Sequence, residues 1–157
     1  MLALGLAGFW LYGKLFPSDE KIIRTTMARV AVAASIKPNE GALARLDAVS
    51  DLVACFTPNV SISLAGVPSG AQRVEGISQL RELALAARTH LREANITFSD
   101  LYVKVDSGRA MATVRMIGRV QFASPDPPWY QELKVQLRKL DGNWKIARIE
   151  SVKGLGF

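Results

Sequence analysis

The sequence predicts an α+β fold, an α+β roll in which three helices pack on an antiparallel sheet of four long strands plus a short hairpin. Three observations lead to this prediction. Apolar residues recur at helical spacing over most of the first 93 residues, whereas from residue 95 they alternate with polar ones. Short segments containing Asp and Gly separate the alternating stretches, as they do in antiparallel hairpins. The chain has 157 residues, the length of one ordinary domain.

The composition narrows the class of protein before any motif is considered. Apolar residues make up 49% of the chain and the formal net charge is +6. This profile excludes disordered, collagenous and coiled-coil proteins. Because the chain has one cysteine, Cys55, and one histidine, it cannot form an internal disulfide or a closed zinc site from these residues. We therefore expect neither a metal nor a cofactor.

Residues 1–17 differ from the rest of the chain and are predicted to form a membrane anchor. They are apolar apart from glycines, Lys14 and Pro17. A helix over residues 1–16 would be about 24 Å long, so Lys14 must snorkel or upstream residues must complete a span of ~30 Å. A signal peptide is one alternative, but the segment lacks the basic residues with which signal peptides begin. A buried helix is the other, but the segment lacks the polar stripe that such helices usually keep. The prediction is a single-pass membrane protein that contacts lipid here, with its domain on an undecided side.

Three amphipathic helices are predicted after this segment. Ser18 caps the first, over residues 19–35, because a serine hydroxyl accepts from the free amides of a first turn. The second covers residues 40–56, and the third covers residues 78–93 with Arg88 on its outward side. The apolar face of the first helix consists of Ile23, Met27, Val30 and Ala34.

The strands follow from alternation and from turn residues. Residues 60–64 and 72–75 form a short hairpin, and the long strands cover residues 95–106, 109–123, 129–140 and 143–153. The turns at 106–108 and 141–143 contain Asp, Gly and Asn, which tolerate a positive φ. Strands joined by tight turns pair as neighbours, so the four long strands form one sheet, which the helices cover on one face.

Several residues resemble the nuclear transport factor 2-like superfamily, which includes the ketosteroid isomerase-like and SnoaL-like proteins. The resemblance is carried by the element order and by three stretches: residues 55–60 (CFTPNV), Glu75–Gly76, and residues 131–152 (QELKVQLRKLDGNWKIARIESV). It covers about residues 19–153, within a domain assigned to residues 18–157. It implies a cone-shaped roll, and that fold serves isomerases, cyclases and binding domains that perform no chemistry.

Strand alternation predicts which residues face the inside of the cone. The inward core set consists of Ala112, Val114, Met116, Gly118, Val120, Leu133, Val135, Leu137, Trp144 and Ile146. The same alternation places Gln131, Arg148 and Glu150 inward at the strand ends, where a pocket would open. Tyr102 and Tyr130 are aromatic residues that could line the cavity. The predicted pocket residues are therefore Tyr102, Gln131 and Arg148.

Three residues are catalytic candidates: Asp100, Glu150 and His90. Asp100 interrupts an alternating strand, where a bulge would turn its carboxylate into the cone. Each has a plain alternative, since Asp100 can bond to backbone, Glu150 can pair with Arg148, and His90 can lie at the surface. An isomerase of this fold needs a carboxylate base and oxyanion donors that include a tyrosine. The first helix contains no tyrosine, so the resemblance transfers no catalytic residue.

The outward side of the sheet carries a basic set on three adjacent strands. Its members are Arg115, Arg119, Lys134, Arg138 and Lys145, with Glu132 among them. This face could contact anionic lipid, a protein partner or a second copy of the chain, or it could simply be solvated. Nucleic acid is not expected, because the charge is modest and no recognition motif is present.

The sequence thus predicts a membrane-anchored, non-catalytic binding or assembly module that uses its sheet face for a partner or for a homodimer. The alternative is a small-molecule isomerase, hydratase or cyclase with a carboxylate base in the cone. An open cavity that contains a buried carboxylate would favour the enzyme.

Overall fold

The computed structural model describes residues 2–15, 18–65, 72–123, 125 and 127–152. It contains four helices and six strands in these residues. In chain order they are α1 (Leu2–Leu15), α2 (Asp19–Ala34), α3 (Ala42–Val53), β1 (Phe56–Leu64), β2 (Gln72–Glu75), α4 (Ile77–His90), β3 (Ala94–Val105), β4 (Met111–Phe122), β5 (Trp129–Leu140) and β6 (Asn143–Ser151).

The six strands form one curved, unclosed sheet in the order β2-β1-β6-β5-β4-β3. Strands β3 to β6 form the predicted antiparallel meander, and β1 and β2 form the predicted short hairpin. β1 runs parallel to β6 and thereby joins the hairpin to the meander, so the sheet is mixed. The predicted α+β fold class is confirmed.

Two of the turns show why the meander forms. The turn between β5 and β6 has positive φ angles at Asp141 (49°) and Gly142 (79°). A two-residue hairpin turn with two positive φ angles matches the right-handed twist of the strands that it connects. The turn between β3 and β4 is closed by the Asp106 N–H, which donates to the Met111 carbonyl at 2.9 Å. The turn residues identified in the sequence therefore lie at the ends of these strands.

The core lies between the concave face of the sheet and helices α2 to α4. The inward sets predicted from alternation are buried at Val114, Val135, Leu137 and Ile146, each 0% exposed. They pack against Ile23, Met27 and Val30 of α2. The Ser18 side chain accepts from the Lys21 N–H at 3.4 Å, so the predicted cap of α2 is present.

The predicted single-pass membrane localisation is wrong. α1 has 14 residues, and at 1.5 Å per residue it is about 21 Å long, against a hydrocarbon core of ~30 Å. Among the described residues, no helix combines the length and the apolar character needed to cross a bilayer. The apolar side chains of α1 are exposed, for example Leu4 at 81% and Phe9 at 79%. Met1, Phe16 and Pro17, which the anchor prediction included, lie outside the described residues.

Arg88 was predicted on the outward side of α4, and the structure places it inside. Its side chain is 3% exposed, and its Nη1 donates to Glu40 Oε2 at 2.7 Å. Nη2 donates to the carbonyl oxygens of Ala33 and Ser35 at the end of α2. These acceptors replace the water that a charged group loses on burial. Arg88 therefore joins the end of α2, the loop before α3, and α4.

Candidate functional site

The convex face of the sheet is not covered by α2, α3 or α4 and carries most of the predicted basic set. One row of paired residues crosses it from β3 to β6: Tyr102 pairs with Arg115, Arg115 with Lys134, and Lys134 with Glu150. We call this face, defined by Tyr102, Met111, Arg115, Arg119, Tyr130, Lys134 and Arg138, the outer face. Two cations stand next to each other in its central row.

The cations of the outer face have few acidic partners. Arg115, Lys134 and Arg138 form no ion pair within 4.0 Å with any carboxylate of the described residues. Arg119 lies 6.0 Å from the centre of the Tyr130 ring and donates to Gln121 Oε1 at 3.1 Å. Like charges that face each other across a strand pair repel. The Arg115–Lys134 pairing therefore costs stability. Glu150 stands opposite Lys134 on its other side, but its carboxylate is paired with Arg148, so both cations remain available to an outside anion.

Aromatic and apolar side chains lie between these cations. Tyr102 is 68% exposed, Tyr130 is 58% exposed and Met111 is 42% exposed. Tyrosine, methionine and arginine are enriched in protein–protein interfaces, where rings and long side chains supply contact area. The outer face thus combines positive charge with exposed apolar area.

Lys145 departs from the predicted basic set. Its backbone pairs with Arg138, but its Nζ reaches away from the outer face and donates to the carbonyl oxygen of Ala54 at the end of α3. A lysine at a helix C-terminus satisfies an unpaired carbonyl and the partial negative charge of the helix end. Lys145 is therefore not part of the outer face.

A β-bulge at Asp100 sets the position of Tyr102. The pairing of β3 with β4 shifts between Ser99 and Tyr102, and Asp100 has a positive φ of 54°. The extra residue reverses the alternation, so Leu101 and Val103 pack against the core and Tyr102 turns outward. Tyr102 was predicted to line the cone, and it lies on the outer face instead. The predicted bulge is present, but the Asp100 side chain is exposed.

A second bulge moves Arg148 and Glu150 out of the cone. The pairing of β5 with β6 shifts so that Ile149 stands opposite Val135 and packs against the core. Arg148 and Glu150, which were predicted inward, therefore lie on the convex side of the sheet. Arg148 Nε is 2.5 Å from Glu150 Oε1, the pairing that the sequence analysis gave as the plain alternative.

Two predicted residues remain. Gln131 keeps its inward register, opposite Gly118, at the edge of the cone, where its Nε2 donates to the Val152 carbonyl at 3.2 Å. His90 is exposed as the last residue of α4. Among the described residues, no three His, Cys, Asp or Glu side chains are grouped to hold a metal ion. The catalytic candidates Asp100, Glu150 and His90 do not come together at one point.

The inside of the cone contains an apolar cavity of about 280 Å³ under α4. Its lining includes Ile62 and Val74 of the sheet, and Leu80 and Ala87 of α4. The one charged lining residue among those described is Arg88. Its guanidinium donates to Glu40 and to two backbone carbonyls, so these hydrogen bonds occupy it and it is not a donor for a ligand in the cavity. This cavity can hold a small apolar molecule, while its described lining supplies no carboxylate.

The ion pair with Arg88 lowers the pKa of the Glu40 carboxyl group. Burial opposes the charged form of Glu40, but hydrogen bonds from Arg88 and from the Lys37 N–H outweigh it and hold the pKa of Glu40 below its ordinary value. Glu40 therefore remains charged and completes a structural ion pair. This pair could not be found from the sequence, because the spacing of α4 alone places Arg88 beside ordinary surface residues.

Sequence comparison identifies the family. Residues 44–150 match the model of the SnoaL-like domain, which is more than half of the chain. The chain belongs to the SnoaL-like domain family, in agreement with the resemblance noted above. No curated protein matches the chain.

Solved structures with the same fold are distant in sequence. A proposed scytalone dehydratase from Novosphingobium aromaticivorans is 17% identical, with a TM-score of 0.65, covering 86% of this chain and 85% of that one. A proposed aromatic ring hydroxylase from the same organism is 16% identical, with a TM-score of 0.66 and coverage of 88% and 90%. A Nostoc punctiforme protein of unknown function with a cystatin-like fold is 17% identical, with a TM-score of 0.64 and coverage of 89% and 96%. At these identities the likeness establishes the fold alone.

Proposed function

We propose that this chain is a non-catalytic SnoaL-like binding module whose outer face binds an acidic protein surface. One observation carries the proposal: Arg115 and Lys134 stand directly opposite each other, and neither forms an ion pair within 4.0 Å with a carboxylate of the described residues. A partner that supplies carboxylates would remove their mutual repulsion. The exposed rings of Tyr102 and Tyr130 would add apolar contact to these ion pairs.

Charge favours a foreign acidic partner over a second copy of the chain. In a symmetric dimer the same patch meets itself, so the row with Arg115 and Lys134 would approach another such row. Glu75, Glu132 and Glu150 are acidic residues on this side, but Glu150 is already bound to Arg148, and Glu75 lies on the edge strand β2, 3.9 Å from Arg73. Self-association would thus leave several cations facing each other.

The proposal can be tested by titrating the isotope-labelled full chain with a poly-glutamate peptide and following backbone NMR signals. We expect the shifts to concentrate on β4 and β5, and binding to weaken as salt increases. The variant Arg115→Glu/Lys134→Glu should lose affinity by roughly tenfold or more. The control Arg81→Glu/Arg92→Glu, with the same change in net charge on and after α4, should keep most of it.

Two results would overturn this proposal. Equal weakening by both double variants would mean that only net charge attracts the peptide. A concentration-dependent dimer in sedimentation experiments, abolished by Arg115→Glu/Lys134→Glu, would assign the outer face to a second copy instead.

A second candidate is an isomerase, hydratase or cyclase that uses the cone. It is supported by the cavity of about 280 Å³ and by the fold shared with a proposed scytalone dehydratase. It ranks second because the Asp100 side chain is exposed and Glu150 lies on the convex side of the sheet. Turnover of cyclic ketones or enols that disappears in Asp100→Asn or Glu150→Gln would establish this candidate and overturn the non-catalytic proposal.

A further inference from the structure

The structure contains a second positively charged region. It is an open cleft of about 540 Å³ between α2, the end of α3 and the turn that joins β5 to β6. Three cations from two elements line it: Lys21 and Arg29 of α2 and Lys145 of β6. We call it the cationic cleft.

The three cations stand on elements that hold them in place. Lys21 and Arg29 are two turns apart on α2, whose opposite side is buried against the sheet. Lys145 is held by its bond to the Ala54 carbonyl, which also lines the cleft. The cleft therefore does not depend on a loop for its positive charge.

Two of these charges act on the same atom in the cleft. Burial raises the pKa of the Cys55 thiol, while the positive charges of Arg29 and Lys145 act in the opposite direction. Both cations are thus within electrostatic range of one sulfur, although they come from different elements. Arg29 and Lys145 therefore both act on the part of the cleft that Cys55 lines.

Carboxylates do not neutralise the cleft. Lys21, Arg29 and Lys145 have no ion pair within 4.0 Å with any acidic side chain of the described residues. Asp19, at the start of α2, is bound to the Trp144 indole at 3.1 Å and to Lys139 at 3.4 Å. Asp51 is the acidic residue whose charge acts on Cys55. The cleft keeps a net positive charge.

We infer that the cationic cleft binds a phosphate group, either as free phosphate or as the phosphate of a monoester. A dianion suits a cleft lined by three cations better than a monoanion does, because its second negative charge strengthens the attraction to each cation. The planar guanidinium of Arg29 can donate to two phosphate oxygens, and the two lysines act as point charges. The Asn143 side-chain amide, which lines the same cleft, offers a further donor.

The cleft also offers an apolar wall. Ile22, 37% exposed, lines it next to Lys21. An organic group attached to the phosphate would cover this side chain and remove apolar surface from water. A phosphate monoester with an apolar or aromatic group should therefore bind more tightly than inorganic phosphate does.

NMR titration of the full chain tests the site, with inorganic phosphate, phenyl phosphate and benzoate as probes at equal ionic strength. We expect shifts of the Trp144 indole and Asn143 side-chain signals, with phenyl phosphate binding most tightly and benzoate most weakly. Arg29→Gln should weaken phosphate binding by about tenfold, the value of one charge-assisted contact. Arg29→Lys should weaken binding less, because it keeps the positive charge and loses only the paired N–H donors of the guanidinium.

Arg81→Gln is the matched control, since it removes one positive charge from the exposed side of α4. We expect it to leave phosphate binding unchanged within about twofold, the size of an unspecific charge effect. Equal weakening by Arg29→Gln and Arg81→Gln would overturn the inference, as would benzoate binding as tightly as phenyl phosphate. Circular dichroism of each variant separates a lost site from a lost fold.

Discussion

Arg88 and Arg115 are the same residue type in two opposite environments, and the difference separates stability from binding. Arg88 is buried under α4 and donates to Glu40 and to two backbone carbonyls at the end of α2. Arg115 is exposed on the outer face, opposite another cation. A buried charge needs every one of its partners, whereas an exposed charge is solvated by water and screened by salt. The first arginine holds the helices together, and the second remains available to an outside anion.

Among the substitutions that test this comparison, Arg88→Ala should have the largest effect on the free energy of unfolding. It leaves the Glu40 carboxylate and two carbonyl oxygens without their donor in a nearly dry site, which should lower the free energy of unfolding by about 3 to 5 kcal/mol. Urea unfolding of the full chain measures this. Arg81→Ala, at an exposed position two turns earlier on α4, should change the value by less than about 0.5 kcal/mol. A small effect of Arg88→Ala would mean that the ion pair is not formed in solution.

The second-largest effect is expected from a substitution that tests the bulge in β6. This bulge turns Ile149 toward the core and Arg148 toward the convex side of the sheet. Ile149→Ala should lower the free energy of unfolding by about 1 to 2 kcal/mol, because Ile149 packs against the core opposite Val135. Arg148→Ala should change it by less than about 0.5 kcal/mol, because Arg148 is exposed. If β6 had no bulge, Arg148 would face the core and Ile149 the convex side, so Arg148→Ala would lower the free energy of unfolding more than Ile149→Ala does. Urea unfolding of the two variants under identical conditions distinguishes the registers.

Strands β3 and β6 show the limit of predicting strand faces from the sequence alone. Alternation and turn residues predicted the four long strands and the core set around Val114 and Val135, because a two-residue period is visible in any unbroken strand. The break in alternation at Asp100 predicted its bulge but not the outward direction of its carboxylate, and the bulge near Ala147 left no such break in the sequence pattern. Every side chain beyond each bulge then changes face.

The residues of the two candidate sites were harder to predict for reasons other than the bulges. The outer face retains Arg115, Arg119, Lys134 and Arg138, since β4 and β5 pair in continuous register. Lys145 was placed with them, but its long side chain turns to the end of α3, a choice that strand parity does not determine. The cationic cleft combines α2, α3 and β6, which meet only in the folded chain.

A smaller effect should appear in the pH dependence of stability. The pKa of Glu40 is held below its ordinary value of 4.5 by its hydrogen bonds, and that of Asp19 lies below 3.8, chiefly because of the Trp144 indole. A lowered folded-state pKa stabilises the protein above the ordinary value, and this contribution is lost as pH falls through the folded-state value. Stability should therefore decrease below about pH 4.5.

Glu40→Gln provides the comparison for this prediction. Because it cannot titrate, its unfolding free energy should fall less steeply than that of the wild type between pH 5 and the acidic end of the titration. Urea midpoints at a series of pH values report the slope. Parallel curves for the two proteins would show that Glu40 is not linked to folding.

The smallest stability effect is expected for Arg115→Gln on the outer face. It removes the repulsion of Lys134, so the free energy of unfolding should stay constant or rise by about 0.2 to 0.5 kcal/mol. Its affinity for the poly-glutamate peptide should nevertheless fall by a few-fold, roughly the value of one exposed ion pair. Differential scanning calorimetry and peptide titration on the same sample measure both quantities. A clear loss of stability would mean that Arg115 has a structural partner.

Site-specific photo-crosslinking in the cells that produce this protein tests the central claim most directly. A crosslinking amino acid at Thr113, on the outer face, is compared with one at Thr89, on the exposed side of α4. We predict an adduct with an acidic protein at position 113, absent at position 89 and lost in the background Arg115→Glu/Lys134→Glu. Equal capture at both positions, or an adduct at 113 that contains only a second copy of the chain, would contradict the account.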